Sequence, residues 1–113
     1  MDALSNKFLN QKVKVTIRDG RIFYGIIKSV DIKGNLILNE VIVELPAHKI
    51  SPLNKHIEYL FDFAENKEQA LQLYFDVNEE TPKENIERLW ENRFYISGFV
   101  VPFDIIDSIL AMN

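Results

Sequence analysis

Lys12-Val13-Lys14-Val15-Thr16-Ile17-Arg18-Asp19-Gly20-Arg21 is the stretch on which the fold turns. Val13, Val15 and Ile17 fall on one side of an extended chain and Lys12, Lys14 and Thr16 on the other, because successive strand side chains point to opposite faces. Asp19-Gly20 follows at once, and Asp-Gly between two alternating runs predicts a tight hairpin, since both residues tolerate positive φ. The chain then returns antiparallel over Arg21 to Asp31, with Gly25 near the middle, where a missing side chain lets the strand bend and a neighbour approach. Lys33-Gly34-Asn35 makes a second tight turn, and Leu36 to Leu45, rich in branched residues and closed by Pro46, is a third strand.

Outward from this meander, Asp2 to Leu9 places Leu4, Phe8 and Leu9 on one helical face, with Asp2 able to cap the first turn. At the other end, Arg93 to Val101 has strand composition with Gly98 inside it; Pro102 interrupts, and Asp104 to Met112 resumes as a fifth strand. The expected fold is therefore mainly all-β, within one domain spanning residues 1–113. A short N-terminal helix precedes a strongly bent, five-stranded antiparallel sheet, a partial barrel, and a long, partly helical insertion (46–92) separates strands three and four.

The insertion admits two readings. Ile57, Tyr59, Phe61 and Phe63 alternate, and Leu71, Leu73, Phe75 and Val77 repeat the pattern, which suits a hairpin extension. Glu65 to Leu73 is also made largely of good helix formers, and Ala64, Leu71 and Phe75 can share a helical face. Thr81-Pro82-Lys83-Glu84 is firmer, because it offers an N-cap, a proline at the first helical position and a capping-box glutamate. It predicts a helix to about Glu91 with Ile86, Leu89 and Trp90 on its apolar stripe. Tyr59, Phe61, Phe63, Tyr74, Phe75 and Trp90 are candidate anchors for a protein partner, since aromatics dominate interface hot spots. The competing reading is that they extend the protein's own core.

Composition narrows the function. With 113 residues, 47% of them hydrophobic, the chain can fill one core, and without cysteine it has neither disulfides nor thiolate metal sites. Residues 1–10 contain no signal peptide or membrane span, so the expectation is a soluble, cytoplasmic protein with no membrane partner. A net charge of −4 argues against general affinity for phosphate backbones. Gly20, Gly25, Gly34 and Gly98 are too scattered to cradle a pyrophosphate, so no cofactor is expected. His48 and His56 lack nearby carboxylates at ligand spacing, which leaves no metal site. Asp104 and Asp107, three apart on a strand, would point to opposite faces and make a poor acid–base pair. Ser97 lacks the surroundings of a nucleophile elbow. A non-catalytic binding subunit is expected.

The run from Gln11 to Arg21, followed by Gly25 and by Val30-Asp31, Asn35-Leu36-Ile37-Leu38, resembles the first Sm motif of the Sm and Sm-like (LSm) proteins. Gly98 with Val100-Val101-Pro102-Phe103-Asp104-Ile105-Ile106-Asp107-Ser108-Ile109 stands in the place of the second motif. In RNA-binding members of that family a base is held beside the first motif's asparagine by an aromatic or histidine and by the arginine of an Arg-Gly pair. Here Lys33 holds the stacking position and Phe103-Asp104 replaces Arg-Gly, so of that trio Asn35 remains, within a turn formed by Asp31, Lys33, Asn35, Phe103 and Asp104. A carboxylate in place of arginine repels phosphates, which makes RNA an unlikely partner. The second motif is similar to that of the Sm-like auxiliary subunit of the NatC N-terminal acetyltransferase, a resemblance covering residues 4–45 and 93–110. It implies scaffold and catalytic acetyltransferase subunits as partners, ribosome association through that complex, and acetyl-CoA bound by the partner. The alternative is a divergent ring subunit binding RNA in mRNA decay or splicing, with Lys33 and Lys28 on phosphates.

Overall fold

Residues 12–17 realise their alternation as β1 (Lys12–Ile17), with Val13, Val15 and Ile17 buried and the residues between them half-exposed. The computed structural model of the chain describes residues 9–46 and 67–112. The helix expected over Asp2 to Leu9, except for Leu9 itself, the histidines at 48 and 56, and the alternating run His56 to Phe63 lie outside these residues.

The turn into β2 (Ile22–Val30) is longer than the two residues that Asp-Gly suggested. Ile17 N–H donates to the Arg21 carbonyl and Gly20 N–H to that of Ile17, each at 3.0 Å, so Arg18, Asp19 and Gly20 form a three-residue loop. Within it only Gly20 takes a positive φ, 96°, which is the arrangement of a type I turn closed by a left-handed residue. The Asp19 carboxylate accepts from the Arg21 backbone at 3.0 Å and from its Nε at 2.8 Å, fixing the loop from inside.

β3 (Asn35–Glu44), β4 (Arg93–Pro102) and β5 (Ile106–Ala111) complete an antiparallel sheet in the order β4-β3-β2-β1-β5. Pro102 ends β4, and Phe103–Ile105 form a single 3₁₀ turn, so Asp104 lies on that turn and not on a strand as expected.

The bend has a specific origin. Tyr24 pairs with Ile42 but Ile26 pairs with Asn39, so Gly25 alone faces Glu40 and Val41, and the extra residue is a β-bulge. A side chain at Gly25 would begin 3.0 Å from the Leu38 Cβ, tighter than most carbon contacts, so Leu38 would have to give way. Glu40 sits at φ 51°, a left-handed conformation costing an L-residue about 1–2 kcal/mol. Its carbonyl accepts the Tyr74 hydroxyl at 2.6 Å and its Oε2 the Tyr95 hydroxyl at 2.8 Å, bonds that hold the strained residue in place.

Adjacent strand residues face opposite ways, so the sheet buries two cores. Val13, Val15, Phe23, Leu38, Val43 and Val101 fill the inner one. Tyr24, Ile42 and Tyr95 face the other side, where α1 (Lys67–Tyr74) and α2 (Lys83–Leu89) cover them with Ala70, Leu71, Tyr74 and Trp90. Residues 67–74 are thus helical: Ala70, Leu71 and Tyr74 form one buried stripe, and the hairpin reading of Leu71, Leu73, Phe75 and Val77 gives way to helix propensity. The capping box expected at Thr81 does not form. Pro82 occupies the N-cap of α2 without a side-chain cap, because Thr81 Oγ1 accepts from Asn78 N–H at 3.0 Å instead.

A polar seam joins the helices to the sheet. Arg93 donates from Nε to Glu44 Oε1 at 2.8 Å and from a terminal nitrogen to the Leu89 carbonyl at 2.8 Å, while its guanidinium lies 4.8 Å from the Phe75 ring centre. The Tyr24 hydroxyl donates to the same Glu44 oxygen at 3.1 Å. Burial, followed by the Glu44 charge, pushes the Tyr24 phenol up to about 12 from 10.0. Because the folded state holds this proton more tightly, its contribution to stability is complete below pH 10.0 and is lost as pH rises toward about 12. An ultraviolet titration should show one late-ionising phenol fewer in Tyr24→Phe than in wild type, where burial also raises Tyr74, and the variant's alkaline unfolding should be less steep.

Candidate functional site

The turn between β2 and β3 is built around one carboxylate. Asp31 Oδ1 accepts from the backbones of Lys33 and Asn35, each at 2.9 Å, and its Oδ2 accepts from Asn35 Nδ2 at 2.8 Å. The asparagine bonds, side chain first and then backbone, hold the Asp31 carboxyl below its ordinary 3.8. Gly34, at φ 83°, closes the turn with a bond to the Asp31 carbonyl. The strands carry this turn to the same end of the sheet as the β4–β5 connection: Asn35 pairs with Pro102, and Phe103 N–H donates to the Gly34 carbonyl at 2.9 Å.

Asp31, Lys33, Asn35, Phe103 and Asp104, singled out from the sequence, are therefore brought together. Asn35 is half-buried with its amide nitrogen committed to Asp31, Lys33 and Asp104 are exposed, and Phe103 is half-buried against the inner core. Sequence reasoning passed over Ile32, which is 99% exposed between Asp31 and Lys33. The tip of the turn is thus an apolar side chain beside a cation.

Asp31 gives this site a pH signature. Its folded pKa is depressed, so its support of the turn is present above 3.8 and is lost as pH falls through the lower folded value. Carboxyl-detected NMR should place its midpoint below 3.8, with the Asn35 amide resonances moving on the same curve; in Asp31→Ala they should not titrate.

The sheet's two edges form the second feature. Among the described residues β4 and β5 each pair on one side only, and they expose Phe99 and Val100 on one edge and Ile109 and Leu110 on the other. An open edge bearing apolar side chains is a template for another strand.

The aromatic candidates fall differently. Tyr74 and Trp90 are buried in the outer core, Phe75 is half-buried with its ring centre 5.0 Å from that of Tyr24, and Tyr59, Phe61 and Phe63 lie outside the described residues. Ser97 and Asp107 are exposed on β4 and β5. Among the described residues no group of histidines and carboxylates could hold a metal, and no helix is long and apolar enough to cross a membrane.

Solved Sm proteins share this architecture. A heptameric archaeal Sm protein, described for its implications for the eukaryotic snRNP core, matches with a TM-score of 0.52 and 14% identity over 98% of each chain. The SmAP1 heptamer of P. aerophilum matches with a TM-score of 0.53 and 14% identity over 100% of this chain and 93% of its own. No curated protein matches in sequence. These likenesses correct the expectation of scaffold and catalytic acetyltransferase partners with RNA disfavoured. That expectation rested on the replaced Arg-Gly pair, on Lys33 at the stacking position and on the likeness of the second motif to the acetyltransferase subunit, whereas the shape is shared with heptamer subunits. The LSM domain model matches residues 3–59, half of the sequence, and with the five-stranded bent sheet of the Sm-like fold it shows that the chain belongs to the LSM-domain family.

Proposed function

We propose that this chain is a non-catalytic subunit of an Sm-like ring that holds RNA at the face formed by the turns at 31–35 and 102–104. The observation carrying this reading is that, among the described residues, a sheet ordered β4-β3-β2-β1-β5 leaves β4 and β5 unpaired along its edges, each with exposed apolar side chains. Antiparallel addition of one subunit's β5 to the next subunit's β4 would satisfy their unpaired backbone groups and bury those side chains. The heptameric neighbours in shape support closed rings over open filaments.

At the turn, Lys33 supplies a cation for phosphate, and the Asn35 amide oxygen is left to accept from a base N–H while its nitrogen serves Asp31. The half-buried Phe103 ring offers a surface for stacking. Asp104 opposes phosphate, so affinity should be modest and steeply salt-dependent.

Native mass spectrometry of the purified chain, alone and with its cellular partners, tests the assembly. A closed ring is expected, reduced to monomers by Ile109→Asp with Leu110→Asp. A monomer that retrieves acetyltransferase subunits in place of ring neighbours would overturn the proposal. Binding of labelled oligouridine should rise about tenfold in Asp104→Arg, since a repelling charge becomes an attracting one in every subunit; no binding at low salt by either form removes RNA from the reading.

A further inference from the structure

The two helices are chemically unlike the sheet they cover. Residues 67–92 contain seven acidic and three basic residues, a net charge of −4 that equals the net charge of the whole chain. The remainder is balanced, so the protein's excess negative charge is gathered on its helical layer.

That layer is also hollowed. A cleft of about 290 Å³ opens between α1, α2 and the connection joining them, with Leu71, Val77 and Ile86 among its walls and Glu68, Gln72 and Glu79 exposed around it. Its walls are preformed: the connection is locked by Asn78 N–H donating to Thr81 Oγ1 at 3.0 Å and Glu80 N–H donating to Asn78 Oδ1 at 2.8 Å. The volume lies at the small end of ligand sites, suited to one or two inserted side chains and too small for a nucleotide cofactor. A rim of carboxylates around apolar walls disfavours RNA and favours a cation next to an aliphatic group.

We infer that the cleft between α1 and α2 docks a basic segment of a partner protein, in which a bulky aliphatic side chain enters against Leu71, Val77 and Ile86 while flanking lysines or arginines meet Glu68 and Glu79. The inference does not depend on ring formation, because the cleft lies on the helical layer and uses neither sheet edge. Pre-organisation by the locked connection lowers the ordering cost of docking.

The test is fluorescence anisotropy of the full chain with a labelled peptide of alternating lysine and leucine, beside all-lysine and glutamate–leucine peptides. The lysine–leucine peptide should bind tightest and the glutamate–leucine peptide not at all. Glu68→Lys with Glu79→Lys should weaken binding about tenfold. Gln72→Trp, a surface substitution that plugs the cleft, should abolish it, and both variants should melt at the wild-type temperature. Equal binding of the all-lysine peptide, indifference to Gln72→Trp, loss of oligouridine binding in the charge-reversed variant, or loss of self-association in the plugged one would each overturn the inference.

Discussion

Replacing Leu38 by alanine will destabilise the protein by about 4 kcal/mol, the largest loss expected of a single core truncation here. Leu38 is fully buried in the middle of β3, paired with Ile27 on one side and Phe99 on the other, so its side chain fills the concave face of the sheet. It also packs beneath Gly25, whose missing side chain leaves the room that Leu38 occupies. Neighbours tied into β2 and β4 cannot collapse into the vacated space, which is the condition under which cavity cost is highest. Urea unfolding followed by tryptophan fluorescence checks this. A loss near 1 kcal/mol would mean that the bend relaxes around the gap. Gly25→Ala should fail for the opposite reason, as a methyl 3.0 Å from the Leu38 Cβ overpacks the same spot.

Arg93→Ala follows, at about 3 kcal/mol. The Arg93–Glu44 pair is 2.7 Å apart at its closest, with side chains 17% and 18% exposed, so water screens it little. Removing the guanidinium leaves the Glu44 carboxylate without its cation, deprives the Leu89 carbonyl of a donor at the end of α2, and strips the Phe75 ring of its stacked charge. Arg93→Ala combined with Glu44→Gln should recover part of the loss, because the stranded charge disappears. Hydrogen exchange should show α1 and α2 opening first in the single variant while β1 and β5 stay protected.

The strands were readable because their physics is local. Val13, Val15 and Ile17 had to share a face, and Gly25, Asp31 and Asn35 marked a bend and a turn by residue type alone. What escaped the sequence depended on partners distant along the chain. Glu40 carries no glycine-like signature, and its left-handed backbone is held by hydroxyls from Tyr74 and Tyr95, which lie 34 and 55 positions away. Thr81 is the local exception: it had the marks of an N-cap, but Asn78, three positions back, competes for its hydroxyl. Leu71, Leu73, Phe75 and Val77 alternate as a strand would, yet Ala70, Leu71 and Tyr74 together fit a helix lying on Tyr24 and Ile42. The turn cluster was legible residue by residue, whereas the partners inferred from it were not, because Lys33 and the replaced Arg-Gly pair outweighed edges that only the assembled sheet displays.

The corner at Gly25 and Glu40 has a geometric consequence for assembly. It fixes how far one half of the sheet swings from the other, and hence the direction in which one free edge faces relative to its opposite. In any closed circle of identical pieces that direction is the wedge angle of each piece, so the number of members is decided inside the subunit as well as at the joints between them. A substitution that flattened the corner would therefore change the count of the circle while leaving every joint chemically intact.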